Sequence, residues 1–124
     1  MLLHPDLAAF LGLGEANIMS GEKPEMHTLT PEKARNECEA STQILDVPGV
    51  PVGSVTHISI PCRDGQSIAA RLYKPTESSE TMDSLPVLLY FHGGGYCIGS
   101  LDSHDSLCRS LTTLTPCCVL NVAY

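Results

Sequence analysis

The spacing of apolar residues follows helical periods near the start of the chain and mainly strand periods in its second half. Near the start, Pro5 favours a helix N-terminus, and apolar positions recur at helical spacing before Gly12 and Gly14, which predicts a short amphipathic helix. A second helix is predicted over residues 31–43, with Thr30 as its N-terminal cap. The segment between the two helices has no steady apolar period and is interpreted as a connector.

Prolines and glycines interrupt the helical pattern in residues 48–53. Proline removes a backbone donor and glycine removes stiffness, so this cluster favours a boundary. We therefore predict two parts: N-terminal helices with a connector in residues 1–47, and a β-rich part in residues 48–124.

The β-rich part opens with a predicted hairpin. Alternating polar and apolar positions in residues 55–60 predict a half-buried strand. The pair Asp64-Gly65 favours a type I′ turn, in which both central residues take positive φ, so residues 67–73 are expected to return antiparallel.

The second half of the β-rich part predicts a βαβ unit. The apolar run at residues 87–91 is unbroken, which is typical of an interior strand. A glycine-rich loop follows, then a helix that Asp102 or Ser103 can cap, and then a buried strand over residues 117–124. This order predicts two parallel strands in a mixed α/β sheet, with the last strand left at an open edge.

Composition excludes several classes of partner. Seven Lys and Arg stand against fourteen Asp and Glu, giving a formal net charge of -7, so nucleic acid is not expected as a partner. No apolar stretch is long enough to span a membrane, and the apolar N-terminus lacks the basic leader of a secretory signal. The six cysteines lack C-x-x-C spacing and are expected to be reduced thiols, so we predict a soluble cytoplasmic protein.

The histidines do not predict a metal site, and no cofactor is expected. His4, His27 and His57 have no carboxylate or cysteine at metal-ligand spacing. His104 and Asp105 lie at the start of the third predicted helix, where a capping role that complements the helix dipole is expected instead of catalysis.

The candidate chemistry is concentrated in His92-Gly93-Gly94-Gly95-Tyr96, where the predicted interior strand ends. Consecutive glycines allow backbone conformations closed to other residues, and their missing side chains let N–H groups face a bound atom. Such donors predict that the loop binds an anion.

Two phosphate-binding motifs also combine a strand, a glycine loop and a helix. A G-x-G-x-x-G motif that begins at Gly93 would need glycine where Ile98 stands. A P-loop that begins at Gly94 would need lysine where Ser100 stands. Neither spacing fits, so nucleotide binding is not predicted.

The His-Gly-Gly-Gly loop after a strand resembles the oxyanion-hole signature of lipases and esterases with the α/β-hydrolase fold. Its surroundings resemble the hormone-sensitive-lipase branch of that family. The similar segments are Gly99-Ser100-Leu101-Asp102-Ser103-His104-Asp105, Leu107-Cys108-Arg109-Ser110-Leu111, Asn121-Val122-Ala123-Tyr124 and, upstream, Arg71-Leu72-Tyr73-Lys74-Pro75.

The resemblance implies the N-terminal part of an α/β-hydrolase fold, with the first helices as a cap over the acyl-binding pocket. It also implies roles in the loop: Gly94 and Gly95 donate N–H groups to the oxyanion, and Gly93 permits the turn. His92 is expected to brace the loop by hydrogen bonding, and Tyr96 is expected in the substrate pocket. The implied partner of the full-length family is a small acyl ester.

The family also requires a G-x-S-x-G nucleophile elbow followed by an Asp or Glu and a His. These are absent from the 124 residues, and the nearest match is centred on Ser67, inside the predicted hairpin, where a structural role is expected. We therefore predict no catalytic residue here, and expect an inactive fragment of a serine-dependent carboxylic ester hydrolase.

An alternative function stays open at this point. The chain could be a non-catalytic binding or interaction protein derived from the hydrolase fold, which uses the glycine loop or the open sheet edge. The same edge is expected to permit self-association.

Overall fold

A computed structural model of the chain describes residues 3–76 and 85–124. It forms two compact units, one ending at Ala34 and the other starting at Arg35. The division of the chain into functional parts at residues 1–47 and 48–124 stays a prediction.

The first helix, α1, spans Pro5–Met19 and is longer than predicted. The expectation of a short helix before Gly12 and Gly14 was wrong, because a glycine inside a helix costs only about 1 kcal/mol relative to alanine and the helix continues through both. A short 3₁₀ helix at Met26–Thr28 lies within the predicted connector.

The second helix, α2, spans Pro31–Leu45 and begins where the sequence predicts. The amide of Lys33 donates to Thr30 Oγ1 at 3.4 Å, and the amide of Ala34 donates to the Thr30 carbonyl at 2.9 Å. The cap predicted at Thr30 is confirmed, since its side chain and its carbonyl both accept from the first turn.

The predicted hairpin is present. Strands β1, Ser54–Pro61, and β2, Ser67–Lys74, pair antiparallel along their full length. The prediction of a type I′ turn, however, was wrong. Of the turn residues only Gly65 has positive φ, 83°, and its amide donates to the Cys62 carbonyl at 3.2 Å. The two residues between Cys62 and Gly65 form the turn. Gly65 then adopts a left-handed conformation, as in a three-residue hairpin loop.

The βαβ unit is also present, as strand β3 at Val87–Phe91, helix α3 at Asp105–Leu114 and strand β4 at Cys118–Val122. Strands β3 and β4 are parallel, while β2 and β4 are antiparallel. The sheet is therefore mixed, with the strand order β1-β2-β4-β3.

The positions of the last two strands in the sheet differ from the prediction. Strand β4 lies between β2 and β3 and is largely buried, whereas β3 pairs with β4 alone among the described strands. Val87, Leu89 and Phe91 are 53%, 58% and 61% exposed. The expectations of an interior β3 and an open edge at β4 were both wrong. An unbroken apolar run shows that both faces of a strand are apolar, but it does not show how many strands pair with it.

The core lies between the sheet and α3. Tyr73, Cys108 and Val119 are fully buried and pack together, and the side chains of Tyr90 and Leu111 flank them. All six cysteines are free thiols. Burial, with a smaller contribution from the charge of a nearby carboxylate, raises the pKa of Cys108 to about 11. This thiol is therefore part of the packing and not a nucleophile at neutral pH.

Candidate active site

The predicted loop leaves the sheet at the end of β3 and forms one wall of a cavity of about 470 Å³. The structure brings all the predicted site residues together at this cavity, and adds two aromatic residues that the sequence reasoning did not assign to it, Phe91 and Tyr124. The lining residues are Phe91, His92, Gly93, Gly94, Gly95, Tyr96 and Tyr124.

Two glycines of the loop are required by its backbone conformation. Gly94 has φ 134° and Gly95 has φ 58°, values that other residues rarely adopt. A Cβ atom at Gly94 would also overlap the backbone carbonyl of Ile98. At Gly93, by contrast, an added Cβ would meet no other atom within 4 Å. The tight turn therefore depends on Gly94, whereas Gly93 faces open space.

The loop continues in the left-handed region at Tyr96, with φ 60°. Such a conformation is uncommon for a residue with a bulky side chain and costs of the order of 1 kcal/mol or more. The Tyr96 side chain is 89% exposed and its ring lies edge-on to that of Tyr124, with centroids 5.7 Å apart. The strained backbone thus holds an aromatic ring at the mouth of the cavity.

The first two peptide groups of the loop are held by side chains. The hydroxyl of Tyr124 donates to the His92 carbonyl. His92 Nδ1 lies 2.9 Å from the Gly93 carbonyl oxygen, so the tautomer protonated at Nδ1 donates to it. In a planar trans peptide the N–H points opposite to the preceding carbonyl. These two bonds therefore fix the directions of the Gly93 and Gly94 amides.

The third peptide group is held by the backbone itself. The Gly94 carbonyl accepts from the amides of Cys97 and Ile98, each at 3.0 Å, which fixes the direction of the Gly95 amide. Within residues 3–76 and 85–124, the amides of Gly93, Gly94 and Gly95 donate to no protein acceptor. The loop thus presents three oriented donors at the cavity.

The His92 side chain is buried among aromatic rings and is only 5% exposed. Its ring stacks on Tyr124, with centroids 4.4 Å apart and planes 15° apart, and on His104, with centroids 5.5 Å apart. Burial, followed by the proximity of His92, lowers the pKa of His104. With its Nδ1 directed at the loop's own carbonyl, His92 is placed to brace the loop.

The far end of the loop is held by α2. Arg35 Nε donates to the Cys97 carbonyl at 2.7 Å, although the two residues are far apart in sequence. A bond from a charged donor to a backbone carbonyl is stronger than a neutral one, so it restrains the exit of the loop.

Helix α3, which follows the loop, is tied to the sheet by an ion network around Asp105. Its carboxylate accepts from Arg71 at 2.9 Å, from the Tyr73 hydroxyl at 2.6 Å and from Arg109 at 2.6 Å. Arg71 also pairs with Asp102 at 2.6 Å. Burial alone would raise the pKa of Asp105, but the hydrogen bonds from Tyr73, Arg109 and Arg71 outweigh it and hold this pKa below its ordinary value.

The capping observed at the start of α3 differs from the prediction. Asp105 lies in the first turn, as expected, but its carboxylate is engaged by β2 and by Arg109, and the side chain of His104 makes no cap hydrogen bond. Ser100 Oγ accepts from the amides of Asp102 and Ser103, both at 3.1 Å. Ser100 therefore closes the turn before the helix, and neither Asp102 nor Ser103 caps α3.

A second, larger cavity of about 670 Å³ lies beside this network and contains none of residues 92–96. Carboxylates on its wall, at Asp102 and Asp105, already pair with Arg71 and Arg109. We place the candidate site at the smaller cavity, because its lining includes the three glycines whose amides have no acceptor among the described residues. In the described part of the chain no cluster of His, Cys, Asp and Glu could hold a metal ion.

Ser67, the nearest sequence match to a nucleophile, is the first residue of β2, where it is exposed and lies opposite Pro61. It is absent from the lining of the glycine-loop cavity. Among the described helices, none has the length and apolarity needed to cross a membrane.

Comparison with known proteins agrees with this geometry. A family model described as alpha/beta hydrolase fold matches residues 88–124, which include the glycine loop, α3 and β4. An ethyl acetate hydrolase of Pseudomonas putida is 39% identical over all 124 residues, which amount to 39% of that protein's length.

Solved esterase structures show the same arrangement. An ester hydrolase from the metagenome of Lake Arreo, complexed with a derivative of bipyridine phosphonate, superposes with a TM-score of 0.86 at 29% identity, covering 99% of this chain and 38% of that one. A hyperthermophilic esterase from the archaeon Pyrobaculum calidifontis superposes with a TM-score of 0.83 at 32% identity, covering 100% of this chain and 37% of that one.

The chain therefore spans about two fifths of the length of these relatives. The mixed sheet, the glycine loop at the end of β3 and the similarity over the whole chain agree with the resemblance found in the sequence. The chain has part of an α/β-hydrolase fold, and along its whole length it is similar to esterases of the branch that resembles hormone-sensitive lipase.

Proposed function

We propose that this chain supplies the oxyanion hole of a serine-dependent carboxylic ester hydrolase. One observation carries the proposal: three successive amides, at Gly93, Gly94 and Gly95, belong to the cavity wall with their directions fixed by hydrogen bonds to the preceding carbonyls. Donors that are fixed before the reaction need no reorganisation when negative charge appears.

The chemistry follows from where that charge forms. When a nucleophile attacks an ester, the carbonyl oxygen becomes negative only in the transition state, so fixed N–H donors stabilise the transition state more than the substrate. We assign this role to the amides of Gly94 and Gly95. Loss of one such donor typically lowers the rate by roughly 10²–10³.

The substrate class we propose is a small acyl ester. Tyr96 and Tyr124 form the aromatic side of the cavity, which suits an apolar acyl or alcohol group. The relative from Pseudomonas putida is an ethyl acetate hydrolase. The Lake Arreo enzyme was complexed with a phosphonate derivative, and a phosphonate is a tetrahedral anion like the intermediate of ester hydrolysis.

We further propose that the 124-residue polypeptide alone does not turn over esters, because it has donors for the oxyanion but no serine at a nucleophile elbow. Ser67 is the exposed first residue of strand β2. The six free thiols suit a reducing compartment, and we propose a cytoplasmic location on that basis.

An ester assay tests the proposed inactivity. The 124-residue chain incubated with p-nitrophenyl acetate should release p-nitrophenol no faster than the same concentration of a Ser67→Ala variant. Saturable turnover that Ser67→Ala or Gly94→Ala abolishes would contradict the proposal, since the nucleophile would then lie within these residues.

Anion binding tests the oxyanion hole itself. Titration with ethylphosphonate, followed by amide proton shifts, should move the Gly94 and Gly95 resonances in a saturable way. Gly94→Ala should abolish this response, because its Cβ would overlap the Ile98 carbonyl. Gly12→Ala, in open space on α1, is the matched glycine control and should retain it. An absent response in the unaltered chain would refute the oxyanion role.

A non-catalytic interaction protein is the second candidate, and the exposed edge strand β3 favours it. This second candidate predicts that the chain binds a partner through β3 and that the amide resonances of the glycines do not shift with ethylphosphonate. The two titration outcomes therefore separate the candidates.

A further inference from the structure

We propose that Tyr124 is a positioning residue of the oxyanion loop, which fixes the direction of the Gly93 amide and the plane of the His92 ring. This inference rests on the proposed oxyanion role of the loop. It adds a residue outside the His-Gly-Gly-Gly segment to the machinery that holds the donors.

The sheet brings Tyr124 to the loop. In the parallel pairing of β3 with β4, Phe91 lies opposite Val122. The chain beyond each strand end therefore runs side by side, and two residues after Val122 the Tyr124 hydroxyl donates to the His92 carbonyl. This contact could not be predicted from sequence spacing, since the two residues are separated by 32 positions.

The hydrogen bond acts on the amide through the rigid peptide group. The His92 carbonyl and the Gly93 N–H belong to one planar trans unit and point in opposite directions. Once the carbonyl is held by Tyr124, the Gly93 amide can no longer rotate about the flanking single bonds without breaking that bond. A glycine next in the chain would otherwise leave this rotation largely free.

The ring of Tyr124 acts on the next peptide group. It stacks on the His92 imidazole at 4.4 Å, nearly parallel at 15°. The imidazole in turn reaches the Gly93 carbonyl through Nδ1 at 2.9 Å, which orients the Gly94 amide. Tyr124 therefore controls two of the three donors, one through its hydroxyl and one through its ring.

Tyr124 contributes little to the core, since it is 51% exposed and lies outside the buried cluster. A residue with a structural role alone would be expected to be buried. Removing its hydroxyl should therefore leave the unfolding midpoint nearly unchanged while it loosens the donors.

The test uses the 124-residue chain and ethylphosphonate, followed through the loop amide resonances. Tyr124→Phe keeps the stacked ring and removes the hydroxyl, and Tyr124→Leu removes both. Tyr90→Phe is the matched control, because Tyr90 lies outside the cavity wall and its hydroxyl donates no hydrogen bond to any described residue. The carbonyl carbon shift of His92 without ligand reports directly on the bond.

We expect Tyr124→Phe to weaken ethylphosphonate binding roughly fivefold, the effect of losing one neutral hydrogen bond, and Tyr124→Leu to weaken it further. The His92 carbonyl resonance should move in Tyr124→Phe but not in Tyr90→Phe. Equal affinities for the unaltered chain and Tyr124→Phe, or an unmoved His92 resonance, would overturn the role of Tyr124 and leave the oxyanion hole standing. No binding by the unaltered chain would overturn both.

Discussion

Asp105 joins two elements at the level of single residues, because its carboxylate accepts from Arg71 and Tyr73 on β2 and from Arg109 on α3. Its side chain is 26% exposed, while that of Arg71 is 12% exposed. Removal of the carboxylate charge would leave the largely buried Arg71 with the exposed Asp102 as its remaining carboxylate partner, which is more costly than loss of a surface ion pair.

We predict that Asp105→Asn lowers the free energy of unfolding by about 2–3 kcal/mol, measured by urea denaturation at neutral pH. Asp102→Asn is the matched control, because Asp102 pairs with the same arginine but its side chain is 75% exposed. It should cost less than about 1 kcal/mol. Equal losses in the two variants would contradict the central role of Asp105.

The same network predicts a pH dependence. The pKa of Asp105 is lower in the folded chain than its ordinary value. Its ionised form therefore stabilises the fold above the unfolded pKa, near pH 4, and this contribution is lost as the pH falls through the lower folded pKa. The difference in stability between the unaltered chain and Asp105→Asn should shrink over that acidic range.

Among the elements, strand β3 lies at an edge of the described sheet. Its bounds were predicted correctly from the apolar run, and its place at the edge was not. Strand β3 exposes apolar side chains and an unpaired backbone edge within the described sheet. Such an edge is a template for pairing with another strand.

We predict that the 124-residue chain self-associates through β3, with sedimentation velocity as the measurement. Leu89→Lys, at a strand position that is 58% exposed, should shift the distribution toward monomer, because charge on an edge strand opposes pairing. Leu114→Lys changes an 81% exposed leucine on α3 in the same way and should have little effect. Identical distributions for the two variants would exclude the edge as the contact.

At the scale of the whole molecule, the fully buried apolar core is small. Tyr73, Cys108 and Val119 form its centre, while many large apolar side chains in the described residues are exposed. Since burial of apolar surface is the dominant stabilising contribution, such a core offsets little of the conformational entropy lost on folding.

We therefore predict a free energy of unfolding of about 5 kcal/mol or less, at the low end for folded domains, from urea denaturation. Val119→Ala, in the core, should lower it by about 2 kcal/mol, whereas Val87→Ala, at a position that is 53% exposed, should change it by less than about 0.5 kcal/mol. A sharp unfolding transition of the monomer with a much larger free energy of unfolding would contradict the prediction that the small core limits the stability of the chain.

The sequence by itself determined the features that depend on neighbouring residues. The cap at Thr30, the hairpin of β1 and β2, the bounds of β3 and the glycine loop after it all follow from local backbone preferences and from apolar period. The family resemblance was readable for the same reason, because the His-Gly-Gly-Gly signature is continuous in the chain.

Only the tertiary structure decided the features that join distant residues. The insertion of β4 between β2 and β3 sets which strand is the edge, and no local pattern encodes that order. The same insertion brings Tyr124 to His92 and lets Arg71 reach Asp105. A local pattern reports what each residue prefers, whereas strand order and ion pairing depend on which distant segments come to share a sheet or a cavity.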